Sequence, residues 1–313
     1  MLSRVANSMY WMGRYIERAE NYARFIDVIK TLALELPPTL KEQWQPLVAM
    51  TGDSALYEAK YKSYTKTNVL KFLTVDGDNP NSVFSCISNA RENARTIRDT
   101  ITIEVWYQIN ELYLSVQNKQ KKNVWTDHVL NEFLKEIING SHLYTGIIHT
   151  TFSHEEAWNF SMLGRMLERA DKIVRMVDMK YYYLLPKIEL VGTPLDLLQW
   201  TSILKAASAY EMFRKNYPRL SADRILEFLL LNRNFPRSVK YCLSRAEESM
   251  NSITGSVHGQ YSCKPEKEIG RLSAELSFVE PEEILKTGLH EYLIGLESSL
   301  NDIGLAITEK FFF

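Results

Sequence analysis

The feature that most restricts how this chain can fold is that its opening segment occurs twice. Gly13-Arg14-Tyr15-Ile16-Glu17-Arg18-Ala19-Glu20 returns as Gly164-Arg165-Met166-Leu167-Glu168-Arg169-Ala170-Asp171. The match continues through Arg24 and Arg175, then Asp27 and Asp178, and both segments reach a Leu-Pro step, Leu36-Pro37 and Leu185-Pro186. Farther on, Trp44 matches Trp200, Tyr57-Glu58 matches Tyr210-Glu211, and Leu70, Phe72 and Leu73 match Leu226, Phe228 and Leu229. Pro80-Asn81-Ser82-Val83 matches Pro236-Arg237-Ser238-Val239, and Cys86-Ile87-Ser88 matches Cys242-Leu243-Ser244. The order is kept and the offset stays between 149 and 156 residues, which chance similarities would not do. Two copies are too few for a solenoid. The expected architecture is therefore an internally duplicated multi-helix bundle. Its halves, 1–150 and 151–313, are related by a pseudo-two-fold axis and packed as one compact domain.

The periodicity is helical throughout. Leu2, Val5, Ala6, Met9, Met12, Gly13, Ile16, Ala19, Ala23 and Ile26 recur at the spacing of one helix face, and Ser3 is a suitable cap. This predicts a long first helix to about residue 34, stopped by Pro37 and Pro38, with a second long helix opening the other half. Further runs are expected at about 43–64, 66–75, 80–115, 125–149, 154–184, 194–216, 221–231, 236–256, 266–276 and 281–311. No run alternates with period two between hairpin turns, so an all-α fold without sheet is predicted.

Composition narrows the function classes. Basic and acidic residues nearly cancel (37 against 38), which gives no electrostatic reason to expect nucleic acid or an anionic membrane as partner. The longest apolar run, around Ile225–Leu231, is far shorter than the roughly 20 residues of a membrane span, and Arg14, Glu17 and Arg18 interrupt the N-terminal apolar stretch as no signal peptide would. Cys86, Cys242 and Cys263 form neither a zinc spacing nor a disulfide framework, so a reducing, cytoplasmic location is expected.

The polar residues fall into a few constellations. On the first helix Arg14, Glu17, Arg18, Asn21 and Arg24 share one stripe, bordered by Glu20 and Asp27. A solvated face is the ordinary reading of such a stripe. Its return in the second half as Arg165, Glu168, Arg169 and Asp171, and the apolar Tyr10, Trp11, Tyr15, Tyr22 and Phe25 around it, favour either a buried network or a polar cleft. Arg91, Arg95 and Arg98 form a further basic face suited to carboxylate or phosphate, whereas the matching segment after Cys242, Arg245-Ala246-Glu247-Glu248, is acidic. Asp76-Gly77-Asp78-Asn79-Pro80 lacks calcium-loop spacing and reads as a turn capping a helix that begins at Pro80. No Glu-x-x-His pair, His-Glu-x-x-His, Gly-x-Ser-x-Gly or phosphate-binding glycine loop is present. No metal and no cofactor are expected. His149, His154, Glu155 and Glu156 straddle a helix start, and Phe311-Phe312-Phe313 is expected to seal the last helix.

Met1-Leu2-Ser3-Arg4-Val5-Ala6, Tyr10–Asn21 and Ala23-Arg24 resemble the opening of the bacterial alpha-E family. The resemblance extends through Asn79–Ser82, Ala90–Arg95, Leu163–Asp171, Phe228–Leu231 and Phe235–Val239, and so spans nearly the whole chain; His149–Trp158 departs from it. It implies an all-helical protein of unestablished biochemistry, whose genes lie beside those of circularly permuted ATP-grasp ligases and transglutaminase-like proteins. The family's characteristic glutamate falls on Glu17 or Glu168. The expectation that follows is an accessory or substrate-binding component of a system that forms peptide or amide bonds, with a peptide or aminoacyl substrate in an Arg/Glu-lined groove. Arg14, Arg18, Glu20, Arg24, Arg91, Arg95, Arg98, Arg165, Arg169 and Asp171 would line that groove. Two alternatives stand beside it. One is a stand-alone enzyme using Glu17 or Glu168 as general acid–base, with a pKa raised in a partly dry cleft. The other is a non-catalytic scaffold in which the charged network fixes the register of the halves.

Overall fold

A computed structural model of the chain describes residues 1–35, 44–122, 126–180, 192–257 and 259–313. Among the described residues there are fifteen α-helices and no strand. In chain order these begin with α1 (Ser3–Glu35), α2 (Gln45–Thr51), α3 (Ser54–Lys60), α4 (Lys66–Thr74), α5 (Val83–Thr96), α6 (Ile103–Lys122) and α7 (Asp127–Thr151). They continue with α8 (Glu156–Met179), α9 (Pro194–Ala206), α10 (Tyr210–Asn216), α11 (Ala222–Leu226), α12 (Val239–Thr254), α13 (Lys264–Phe278), α14 (Pro281–Thr287) and α15 (Leu289–Phe311). The Leu-Pro exits at 36–37 and 185–186 lie outside the described residues.

Several expected runs are broken. The 43–64 run ends its first helix at Gly52, whose φ of 79° supplies the left-handed turn that only glycine adopts cheaply. The 194–216 run breaks at Ser208, which takes φ 52°, and the 281–311 run breaks at Gly288. The 80–115 run divides into α5 and α6. Its first helix begins at Val83, not Pro80, because the Ser82 hydroxyl accepts from the Ser85 amide and is the true cap. Residues 227–231 wind as a π-turn continuing α11. In each case the apolar period runs on across the break, since both pieces lay their apolar side on the same core.

α1 and α8 cross at the centre. α1 packs on α5, α7 and α9, and α8 on α12, α15 and α2, with α5 on α6 and α12 on α13. The crossing is backbone on backbone. A Cβ added at Gly13 would lie 2.4 Å from the carbonyl oxygen of Ser161, and one at Gly164 would lie 2.2 Å from that of Tyr10. Glycine therefore sets the interhelical distance from both sides, and Arg14 and Arg165 pass beside the opposite glycine. α8 is buried almost all round, charged residues included. Phe311 and Phe312 close the far end against Phe160 and Tyr10, while Phe313 projects outward.

Candidate functional site

The central crossing brings the two charged stripes face to face. Arg169 of α8 grips Glu17 of α1 with two parallel bonds, Nε to Oε1 and Nη2 to Oε2, both 2.7 Å. Arg18 of α1 grips Glu168 of α8 in the same way, Nε to Oε1 at 2.6 Å and Nη2 to Oε2 at 3.0 Å. Both glutamates have no solvent exposure. Each Glu-Arg dipeptide is thus the complement of the other across the crossing, in the bidentate geometry that guanidinium and carboxylate favour.

Each carboxylate lies among three cations. Around Glu168 stand Arg14 (2.8 Å), Arg18 and Lys172 (3.4 Å). Around Glu17 stand Arg169, Arg237 (3.5 Å) and Arg165 (3.8 Å). The third cation comes from different places. Lys172 belongs to α8 itself, one turn beyond Glu168, where α1 has Asn21; Arg237 precedes α12, where the first half has Asn81. The neutral partners complete the pattern, as Arg18 Nη1 donates to Asn81 Oδ1 and Arg237 Nη1 to Asn21 Oδ1. A lysine–asparagine exchange at one position is offset by an asparagine–arginine exchange at the other.

Glu20 and Asp171 extend the network. Glu20 receives Arg24 Nε at 2.8 Å, Ser141 Oγ at 2.6 Å and the Arg237 guanidinium. Asp171 receives Lys172 at 2.7 Å and Arg175 at 2.9 Å, and Arg175 continues to Glu297. Burial pushes all four carboxyls upward, but the surrounding cations outweigh it. Arg169 and Arg237 hold Glu17 below the ordinary range, and Arg18, Lys172 and Arg14 hold Glu168 well below it. Arg237, the His142 hydrogen bond and Arg24 do the same for Glu20, as Lys172 and Arg175 do for Asp171. One group is poorly served. Arg165 Nε is buried with no hydrogen-bond partner, and burial together with the Arg169 charge lowers the Arg165 pKa.

The stripe is therefore a buried junction lining no part of the basic face on α5. Arg91 bonds Asn110 (2.8 Å) and lies 4.6 Å from the Tyr113 ring centre, Arg98 covers Trp106 at 4.6 Å, and the exposed Arg95 pairs with Glu92. None of the three has an ion pair or hydrogen bond to the α1–α8 network. The glutamate readings also diverge from expectation. A general acid–base needs a raised pKa and an accessible proton path, whereas Glu17 and Glu168 are depressed and saturated with cations.

These geometries coincide with what the comparison with known families finds. A family model named Alpha-E, described as a predicted alpha-helical domain with a conserved ER motif, matches residues 1–312. The chain belongs to the Alpha-E family. In this Alpha-E chain Glu-Arg occurs only as Glu17-Arg18 and Glu168-Arg169, the two dipeptides that interlock at the crossing. Its curated relatives include an uncharacterised protein of Mycobacterium bovis and one of Mycobacterium tuberculosis, each 24% identical over 97% of this chain. The chain spans 36% of the length of those relatives. No solved structure matches it.

Sequence reasoning singled out the Glu-Arg stripe but missed Lys172 and Arg237. The signal was present: both stand where the otherwise matching repeat changes between amide and cation. The remaining candidates are structural or peripheral. His154 stacks on Trp158 at 4.2 Å, and Asp76 takes Lys60 (2.6 Å) and the Tyr61 hydroxyl (2.9 Å). Among the described residues no group of three His, Cys, Asp or Glu is placed to hold a metal ion, and no helix is long and apolar enough to cross a membrane.

Proposed function

We propose that this Alpha-E chain is a non-catalytic helical component of an ATP-grasp-linked system that forms peptide or amide bonds, contributing recognition while a partner makes the bond. The crossed Glu17–Arg169 and Arg18–Glu168 pairs carry this reading. They consume the family's signature residues in a buried lock, which leaves recognition to the outer faces. Breaking such a lock strands buried charge, so the motif is costly to lose even without catalysis.

The matched packing of the two halves supports descent from one duplicated unit. The face carrying Arg91, Arg95 and Arg98, with Trp106 and Tyr113 beneath the guanidinium groups, is the outer surface best suited to a carboxylate- or phosphate-bearing partner. The ligase and a transglutaminase-like protein are the partners proposed, and a peptide or aminoacyl group the cargo.

A pull-down from the native host with mass spectrometry tests this. The expected result is recovery of a ligase that is lost on Arg91→Ala/Arg98→Ala with the melting temperature unchanged, and kept on Glu17→Gln in whatever fraction remains folded. Turnover by the isolated chain that vanishes in folded Glu17→Gln would overturn it.

A further inference from the structure

A second polar region lies away from the crossing. Lys240, Ser244, Glu247 and Asn251 are spaced i, i+4, i+7 and i+11 along α12, which puts them on one face. That face meets Ser273 and Ser277 of α13 across a cavity of about 420 Å³, with Arg233 at its rim. The volume is in the range of small-molecule sites.

The charges in this cavity are unbalanced at one end. Lys240 is only 7% exposed, and no described residue gives its ammonium a hydrogen bond or an ion pair. It is the second residue of α12, where the helix dipole and the free backbone amides also favour an anion over a cation. The other cation there, Arg233, likewise has no ion pair among the described residues. Burial and the Arg233 charge lower the Lys240 pKa. At the opposite end is Glu247, seven residues along the helix, or about 10 Å at 1.5 Å per residue. Glu248 adds a second carboxylate there, beside Arg245.

Between the ends the lining is neutral and polar. The hydroxyls of Ser244 and Ser277 donate to the carbonyls of Lys240 and Ser273, so their lone pairs remain free to accept. Acceptors between the two ends, with the Asn251 amide one turn beyond Glu247, suit a ligand that presents N–H groups.

We propose that this cavity binds a small zwitterion of about tripeptide length, its carboxylate on Lys240 and Arg233 and its ammonium toward Glu247 and Glu248. An extended tripeptide spans about 10 Å, which matches the separation of the two ends. The ligand class follows from the cavity's own charges and stands whether or not a ligase is the partner.

Calorimetry on the isolated full chain, backed by amide NMR, tests the proposal with triglycine, N-acetyl-triglycine, triglycine amide, acetate and inorganic phosphate. The expected result is triglycine binding that weakens by about tenfold when either end is capped. Lys240→Met weakens it by about tenfold or more, and the exposed Arg233→Ala weakens it several-fold with melting unchanged, so the test survives a folding defect in the buried variant. No triglycine binding at millimolar concentration, phosphate or acetate binding as tight as triglycine, or affinity unchanged by both substitutions would each overturn it. Loss of this site leaves the pull-down result intact, and loss of the ligase leaves this titration intact.

Discussion

Replacing Glu168 by glutamine removes one negative charge from a point where Arg14, Arg18 and Lys172 converge and no water reaches the side chain. The shape is kept and the charge is not. Three cations, each mostly buried, lose their shared counter-ion, and the amide can accept at one atom where the carboxylate accepted at two. Removing one partner of a buried pair costs about 3–5 kcal/mol, most of it the penalty of the stranded charge. At about 2–4 °C per kcal/mol for a domain of a few hundred residues or slightly fewer, the melting temperature falls by roughly 6–20 °C. Glu17→Gln is expected to match it, because its carboxylate also faces three cations. Asp27→Asn is the control. Its carboxylate is half exposed and 3.7 Å from Lys30, so its loss costs under about 0.5 kcal/mol. Urea unfolding followed by circular dichroism gives all three values. A cost below about 1 kcal/mol for Glu168→Gln would refute the keystone account, since it would mean that the cations were already satisfied elsewhere.

Three further outcomes are expected. Gly13→Ala gains about 1 kcal/mol of helix propensity but drives a methyl into the Ser161 carbonyl, and thermal melting should show a net loss of about 1–3 kcal/mol; Gly146→Ala, in open space on α7, should instead stabilise by up to about 1 kcal/mol. Glu17, Glu20, Glu168 and Asp171 are all depressed, so their contribution is complete above the unfolded values near pH 4 and is lost as pH falls through the folded ones. Urea midpoints should therefore drop steeply below about pH 4 and stay flat from pH 5 to 7. Burial pushes the Cys86 and Cys242 thiols up to about 12, so a thiol reagent near pH 8 should label Cys263 first in the folded protein and all three in denaturant; equal rates in the fold would contradict the packing.

The helical class and the two long helices could be read from periodicity alone, because an amphipathic face 33 residues long admits no other structure. The breaks at Gly52 and Ser208 could not. A hydrophobic period reports which side faces the core and says nothing of whether the chain turns between two pieces that share that side. The stripe was visible for the same reason, as a row on one helix. Its pairing was not, since spacing along α1 cannot tell Arg18 whether to reach for Glu17 or for Glu168. That choice is made by the glycine crossing, which sets α8 close enough for each arginine to span the gap. Arg91 failed to join the site because α5 turns it outward onto Tyr113. Lys240 drew no notice because an isolated lysine in a helix is ordinary until its burial is known.

The unequal sources of the third cation give the molecule a weak side. Glu17 and Glu20 are tied through Arg237 to the segment that launches α12, beside the neutral Arg237–Asn21 bond, whereas on the other side α5 is tethered by the neutral Arg18–Asn81 bond, and the ion pairs of Lys172 stay within α8. Acid therefore loosens the halves unequally. Protonating Glu17 and Glu20 removes both charged contacts of Arg237 and leaves the start of α12 the Arg237–Asn21 bond and the Arg169 bond to the Pro236 carbonyl, while protonating Glu168 leaves the Arg18–Asn81 tether to α5 in place. The contact most weakened as the charges are neutralised is the one that holds the start of α12, because its tethers are the more charged of the two.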